Sequence, residues 1–523
     1  MWDSTSDVLV LGAGHNSLIA AAYLAKAGVK TLVLEAKSIV GGGCTSEELT
    51  KPGFVHDVCA TIHGGIVSGP VPAELELERY GLNYMFPDPM SASIFPDGSS
   101  IVTYRDVERT AREIEKLSPR DGVAYRRLVG FWEEHVKPWF IPVRYSPPKQ
   151  PSELYGLIEQ KGAAGQEVMR LMASSPLEVV NEFFEDDRVR AHVLKASLQG
   201  GPLLDQFGYG LLVLTNGSGM RHSFGWAFPE GGSQQLPDAL TRAIEEHGGQ
   251  VLANARVREI IVKDGEAVGV ETDDGRRFRA SQAIVAGLHV RQLFLDMIDD
   301  RWLDPSLVEM ARQVRSGLSE VILHIAMKEK PRFRGNLPED VVLCQVPESM
   351  PDLAAAYANY RTGHLYPRAP FQVVAHTLID SKRAPAGGHV LNIGHYAPYA
   401  LEGDPNTWRQ QKDEIFQHEM QRVQEYIPNL SEDTVGSAMF TPVEIEAHNP
   451  MFYRGDIMGM GHVLSQEGIL RPHPAIADYR MPVKKLYLTA ACAYPGGSIS
   501  GAPGRNAAMT VLQDLGVAAG AAR

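Results

Sequence analysis

The chain has 523 residues, with 50 Lys+Arg against 63 Asp+Glu for a formal net charge of −13, and 44% hydrophobic and 22% charged residues. At about 100–200 residues per domain it has room for about two to four domains; its apolar content excludes a disordered or collagen-like chain, and an acidic balance without a basic stripe excludes nucleic acid as a partner. Cys44, Cys59, Cys344 and Cys492 are too few for a disulfide framework and none stands in C-x-x-C spacing, which argues against a zinc knuckle or thiol–disulfide site and fits a reducing, cytoplasmic setting.

Residues 7–14 read Asp-Val-Leu-Val-Leu-Gly-Ala-Gly, a buried strand running straight into glycines. The apolar run begins at Val8 behind Trp2, Asp3 and Asp7, so no secretory leader is expected. No stretch is long and apolar enough for a bilayer span, which leaves room only for peripheral membrane contact. A small-residue helix from about Asn16 to Ala27 follows, then a strand from Lys30 to Leu34 that ends in Glu35. This is a βαβ unit with a Gly-rich turn between strand and helix. Gly12 permits the tight turn, and Gly14 lets the backbone approach a pyrophosphate at the helix N-terminus. Ser17 stands where the third glycine of the fingerprint is usual, and is small enough to keep helix and strand close. Glu35 is placed to accept hydrogen bonds from an adenosine ribose, and its charge disfavours a 2′-phosphate.

Next comes Gly41-Gly42-Gly43-Cys44-Thr45-Ser46, then Cys59-Ala-Thr-Ile-His63-Gly64-Gly65. The stretch 101–220 is helix-rich by pattern (Val107–Leu117, Tyr125–His135, Glu153–Lys161) and is punctuated by the proline-rich loop Ser146–Pro151. Phe228-Pro-Glu-Gly231-Gly232-Ser233 precedes a helix and the segment Gly249–Ile260. A hairpin of Ala267–Glu271 and Arg276–Ala280 about an Asp-Gly turn follows, then a strand Gln282–Ala286. Val321–Met327 reads as a strand and Asn406–Tyr426 as helical. The chain closes on Ala491-Cys492-Ala-Tyr494-Pro-Gly-Gly497-Ser-Ile-Ser500-Gly501-Ala-Pro-Gly504-Arg-Asn506, with a last helix from about Ala502–Gly504 and a tail, Gly516–Arg523, expected to fray. No second strand–G-x-G-x-x-G–helix unit exists, so no separate nicotinamide-nucleotide domain is expected.

These motifs, in this order, resemble the FAD-containing amine oxidase and phytoene desaturase superfamily. The glycine pair after Glu35 is similar to its second dinucleotide motif, the segment holding Val257 to its adenine-contacting strand, and the closing segment to the flavin motif of its carotenoid desaturase branch. Gly12–Asn16, Ala20–Gly28, Pro52–Asp57 and Gly501–Ala508 resemble in particular the phytoene desaturase-like pyridine nucleotide-disulphide oxidoreductase domain-containing proteins and the bacterial carotene ketolases. The chain departs from that pattern at Ser17, at Cys492 and at Tyr494, where glycine, glycine and histidine are usual.

The resemblance implies an α/β fold: a Rossmann-like, glutathione reductase-like FAD-binding domain (1–100, 221–290 and 445–523) interleaved with an α+β substrate or cap domain (101–220 and 291–444). It implies FAD as cofactor, with contacts at Gly12, Gly14, His15, Asn16, Ser17, Glu35, Ala36, Gly42, Gly43, Cys44, Thr45, Val257, Cys492, Gly497, Ser500 and Gly501. His63 is the candidate proton acceptor, since imidazole is matched to neutral pH, and Tyr494 the candidate substrate-side hydroxyl. His222 and Trp226 are weighed as an aromatic wall, His289 and His462 as weaker candidates, and His376, His389 and His395 as structural. No cluster has metal-ligand spacing.

The implied reaction is transfer of a hydride from a substrate C–H bond to flavin N5, on a hydrophobic polyene, terpenoid or lipid-like small molecule. Oxygen or a quinone would take the electrons onward. The alternative is a flavin-dependent amine or alcohol oxidase of a soluble metabolite that produces hydrogen peroxide. A homo-oligomer is compatible with either.

Overall fold

A computed structural model describes residues 2–518; of the tail expected to fray, residues 519–523 lie outside the described residues. Ser4–Leu11 is an inner strand of a seven-stranded sheet ordered 257–263, 266–272, 277–286, 4–11, 31–34, 250–252, with Leu486–Leu488 also paired to 277–286. Val8 and Val10 face a core with Ala20, Ala21 and Leu24 of the helix His15–Lys26, while Leu9 and Leu11 face a second core with Phe294, Leu307 and Leu488. A parallel strand covered on both faces needs a continuous apolar run rather than an alternating one. The alanines of the first helix leave room for the last, Ala502–Asp514: a Cβ on Gly504 would strike the Asn16 carbonyl.

The strands expected at Arg276–Ala280 and Gln282–Ala286 form one strand, Arg277–Ala286, because no glycine or proline interrupts them. Its first residues pair antiparallel with Glu266–Thr272, and its later ones run parallel to Ser4–Leu11 and Leu486–Leu488. The glycine-rich ends of these parallel strands open onto the same space.

A second seven-stranded sheet is ordered 434–440, 319–327, 389–397, 371–375, 343–346, 91–94, 100–103. Its pairs are antiparallel except where Leu343–Val346 runs beside Ser91–Ile94. This sheet takes in Ser91–Ile94, from the end of the expected 1–100 segment, and Ser100–Thr103, which straddles its end. Pairing of Ser319–Met327 with His389–Ala397 sets Glu320 opposite Tyr396 and Val321 opposite His395.

Helices of the 107–197 stretch enclose a third core around Tyr125 and Trp132. The second of them begins at Pro119, ahead of the expected Tyr125, because Ser118 caps it by accepting from Asp121 N at 3.1 Å and Pro119 suits the first helical position. The expected Asn406–Tyr426 helix is divided into Thr407–Gln410 and Lys412–Gln424.

Candidate active site

One cavity of about 470 Å³ lies between the glycine-rich strand ends of the first sheet and inner strands of the second. At its first end, Gly12 (φ 82°) turns the chain and donates to the Leu34 carbonyl at 2.8 Å. Gly14 then caps the helix His15–Lys26 with no side-chain cap, and a Cβ there would meet nothing within 4 Å. Gly12, Gly14, His15, Asn16 and Ser17 all line the cavity. Uncapped N–H groups with the positive dipole end behind them, facing open space, form a seat for a pyrophosphate. Ser17 fits in place of glycine because its neighbour gives way: a Cβ on Gly287 would overlap the Ser17 hydroxyl.

Glu35 is held by its surroundings. Its carboxylate accepts from Ala13 N at 2.6 Å and from Lys37 N at 2.9 Å, while its main chain is clamped by Leu252 and Ala255. A carboxylate has about four acceptor sites, so two remain for ribose hydroxyls. The same clamp brings Val257 and Arg256 to the cavity beside Glu35, Ala36 and Lys37. The second glycine segment docks directly on the first turn: Gly41 N donates to Ala13 O at 2.8 Å, and a Cβ on Gly42 would stand 3.0 Å from Gly14 Cα. Gly42, Gly43 and Thr45 line the cavity. Asn16 Oδ1, His15 Nε2 and Thr45 Oγ1 are buried there without a hydrogen-bond partner among the described residues. Buried polar atoms are almost always paired, so this donor and acceptor set fits a polar cofactor spanning the wall.

Not every expected contact reaches the cavity. Cys44 is fully buried beneath it, and Cys59 takes a place in the wall instead. The closing segment enters through Thr489, Ala490, Ala491, Ser498 and Ile499. Cys492 points back toward the Leu288 carbonyl, Gly497 abuts the Met458 backbone, and Gly501 packs on Ile19 and Val71. Ser500 is fully buried, its hydroxyl accepting from Ala502 N at 3.3 Å and its carbonyl accepting from Tyr145 OH at 3.0 Å. These four support the wall from behind. Ser498 sits at φ 80°, and this left-handed residue turns the wall inward. Burial lowers the His15 pKa to about 4, opposed by the Ser498 backbone, which ties the two chain ends together here.

The two residues expected at the reacting face also stand behind it. His63 is completely buried, with Nδ1 at 3.0 Å from Tyr84 OH and Nε2 at 3.1 Å from Ser233 Oγ. Burial lowers its pKa to about 3 despite Asp57 nearby. Both ring nitrogens are occupied, so the imidazole braces the wall rather than awaiting a substrate proton. Tyr494 donates to Val143 O at 3.1 Å and is likewise outside the lining. His222 is bonded to Tyr125 OH at 2.8 Å, and Trp226 packs on Gly64, so neither forms an aromatic wall. His289 accepts from Arg291 N, and His462 pairs with Glu467 at 2.6 Å.

The opposite wall was not legible as a site. It includes Lys195 from the helix Asp187–Ser197, Glu320 from Ser319–Met327, and His395 and Tyr396 from His389–Ala397. His395 Nε2 lies 3.4 Å from Glu419, and Nδ1 is 2.9 Å from Tyr396 O. Burial would lower the His395 pKa, but Glu419 outweighs it and raises it. His395 is therefore a cavity residue rather than the purely structural one expected. Apolar side chains line both ends: Leu288 stands where a Cβ on Gly12 would lie 3.6 Å from it and clusters with Met297 and Val257, while Met458 lies near Gly200 and Ile62 near Val374 of the second sheet.

Comparison with known proteins agrees with this geometry. The family model described as flavin containing amine oxidoreductase matches residues 18–512. The chain is 28% identical over 532 residues to one of the polypeptides of the limonene dehydrogenase of Castellaniella defragrans, covering 98% of this chain and 95% of that protein. It is 26% identical over 554 residues to pyridine nucleotide-disulfide oxidoreductase domain-containing protein 2 of Rattus norvegicus, covering 97% and 94%. Among solved structures, an oxidoreductase from Methanosarcina mazei shares the fold at a TM-score of 0.62 and 18% identity, covering 98% of this chain and 100% of the other.

Proposed function

The chain belongs to the flavin containing amine oxidoreductase family and is an FAD-dependent oxidoreductase; we propose that it dehydrogenates a largely apolar, terpenoid- or polyene-like small molecule inside this cavity. The observation that carries the proposal is one cavity that reaches from the Gly12–Asn16 turn to the second sheet, with Met458 packed near Gly200 and Ile62 packed near Val374 supplying apolar wall toward that sheet. A cofactor seated at the first end and a hydrophobic substrate beside Ile62 and Met458 would share this one cavity. The limonene dehydrogenase relative, whose name gives a hydrocarbon terpene as its substrate, supports the same class.

Bound FAD supplies a two-electron acceptor that takes a hydride from a substrate C–H bond. The chain contributes position and environment. Gly14 and the amides after it hold the pyrophosphate, and Glu35 orients the ribose. The second glycine segment and Ser498–Ile499 would bound the cofactor, and Met458 would accommodate an irregular apolar body. With no second dinucleotide unit, the electrons pass on to oxygen or a quinone. The polar side chains of the second sheet favour a second reading, an amine or alcohol oxidase releasing hydrogen peroxide.

Product analysis tests the proposal. Holoprotein incubated with limonene, farnesene, an alcohol and an amine, each with a quinone acceptor, is predicted to yield from an apolar member a product lighter by two hydrogens. Conversion of the amine or alcohol alone, with peroxide formed in air, selects the second reading. Unchanged mass for every member contradicts both.

A further inference from the structure

Lys195 and Glu320 face the cavity with no hydrogen bond and no ion pair within 4.0 Å among the described residues. Lys195 is 4% exposed, yet its ammonium makes no hydrogen bond or ion pair among the described residues; its nearest aromatic neighbour is the Tyr396 ring, 5.5 Å to the centroid. Glu320 likewise has no donor and no cation within 4.0 Å among the described residues, and keeps part of its surface open where it meets the cavity. Other buried charges have partners, either an opposite charge (Asp57 with Arg383 at 2.8 Å, Glu348 with Arg422 at 2.7 Å) or backbone groups (Arg471 donating to Ala491 O at 3.0 Å, Asp121 accepting from Glu185 N at 2.9 Å). An unpaired ammonium and an unpaired carboxyl on one otherwise enclosed wall are costly to retain for stability alone. Gln372, paired in register with Gly394 of the neighbouring strand, and Gln199 extend the polar patch.

A hydrocarbon would leave this wall unsatisfied. We propose that Lys195 and Glu320 form a recognition site for one oxygen function, a hydroxyl or its ketone, on the otherwise apolar substrate. Lys195 Nζ donates to the oxygen. The Glu320 carboxyl donates to a ketone when protonated and accepts from a hydroxyl when ionised. The groups are close to a neutral balance: burial lowers Lys195 to about 8 and raises Glu320 to about 7, each opposed by the other. A neutral polar group fits this wall better than a formal ion. The inference rests on the reading of the cavity as an oxidoreductase site and narrows its substrate.

The test is binding, not turnover. Oxidised holoprotein is titrated with carvone, geranylacetone and farnesylacetone, each against the hydrocarbon in which the carbonyl is a methylene (limonene for carvone), and binding is read from the perturbed flavin absorbance. At least one ketone is expected to bind about tenfold more tightly than its hydrocarbon, the worth of one good hydrogen bond. Lys195→Met and Glu320→Leu are each expected to erase that preference without weakening hydrocarbon binding. Replacing unpaired buried charge by apolar side chains of similar size tends to preserve or raise stability, so melting curves should not fall; Glu320→Gln supplies a milder variant if they do. A preference that survives both substitutions, no ketone binding in the wild type, or equal binding of ketone and hydrocarbon overturns the proposal. So does a Lys195→Met variant that shifts the flavin reduction potential while the ketone preference persists, since Lys195 would then serve the cofactor. Failure to retain flavin at all would instead overturn the oxidoreductase reading.

Discussion

Substituting Gly14 by Ala places a methyl group at the N-terminus of the first helix, in space where nothing of the chain lies within 4 Å. Gly14 has φ −68° and ψ 159°, angles that alanine adopts without strain, so restricting the unfolded chain stabilises by about 0.4–1 kcal/mol. Alanine is a poorer N-cap than glycine by about 0.5–1 kcal/mol. The two nearly cancel, and the apoprotein should melt as the wild type does. Cofactor binding should not survive unchanged. A hydrogen bond to a charged group is worth about 1.5–3 kcal/mol, and a methyl that holds the pyrophosphate off the amides removes at least one. The FAD dissociation constant should rise about ten- to hundredfold, measured by titrating FAD into apoprotein and following flavin fluorescence. Gly42→Ala is the contrast: with φ 60° and its Cβ 3.0 Å from Gly14 Cα, it should lower both stability and affinity. A Gly14→Ala variant that binds FAD like the wild type would refute the placement of the pyrophosphate.

Burial pushes the Asp57 carboxyl up, but Arg383, His376 and hydrogen bonds from Ser46 and Ser233 N outweigh this and hold it at about 2. A depressed carboxylate contributes stability that is full above its unfolded value of about 3.9 and is lost as pH falls through about 2; Asp57→Asn should flatten that acid limb in denaturant midpoints taken across pH, and identical slopes would count against the pair. At neutral pH the same substitution breaks a buried ion pair, for which about 3–5 kcal/mol is the upper range, reduced here because Arg383 keeps Asp380 at 3.1 Å. His63→Leu leaves Tyr84 OH without its partner and should cost about 1–3 kcal/mol, while the rate of flavin reduction and its pH profile stay unchanged; a lost alkaline or acid limb in that profile would return His63 to the reaction.

The nucleotide end of the cavity was legible because its chemistry is local. Strand, turn, helix and Glu35 follow one another within a few tens of residues, and Gly12, Gly14 and Glu35 line one cavity together with Gly42 and Val257, which the family resemblance had singled out. The closing segment was legible as a segment but not residue by residue. Ser498 and Ile499 reach the cavity while Gly497 and Ser500 turn away, because the left-handed Ser498 reverses an alternation that sequence alone does not reveal. The opposite wall was invisible for a different reason. Glu320 meets Tyr396 and His395 only through the antiparallel register of two strands far apart in the chain, and Lys195 arrives from a helix whose other residues are core. The single local signal for that wall is a lysine among the apolar residues of Val193–Leu198. His63 misled because its neighbours do line the cavity: Thr61 and Ile62 face inward, and His63 lies just past them, in the packing layer.

The account turns on whether a substrate reduces the flavin in this cavity, and anaerobic titration of the purified holoprotein, followed at the visible flavin bands, tests that most directly. Apolar terpenoids or polyenes are predicted to bleach the flavin in proportion to substrate added, and air or a quinone to restore it. A flavin that dithionite bleaches, but that no terpenoid, polyene, alcohol or amine touches, would contradict the account.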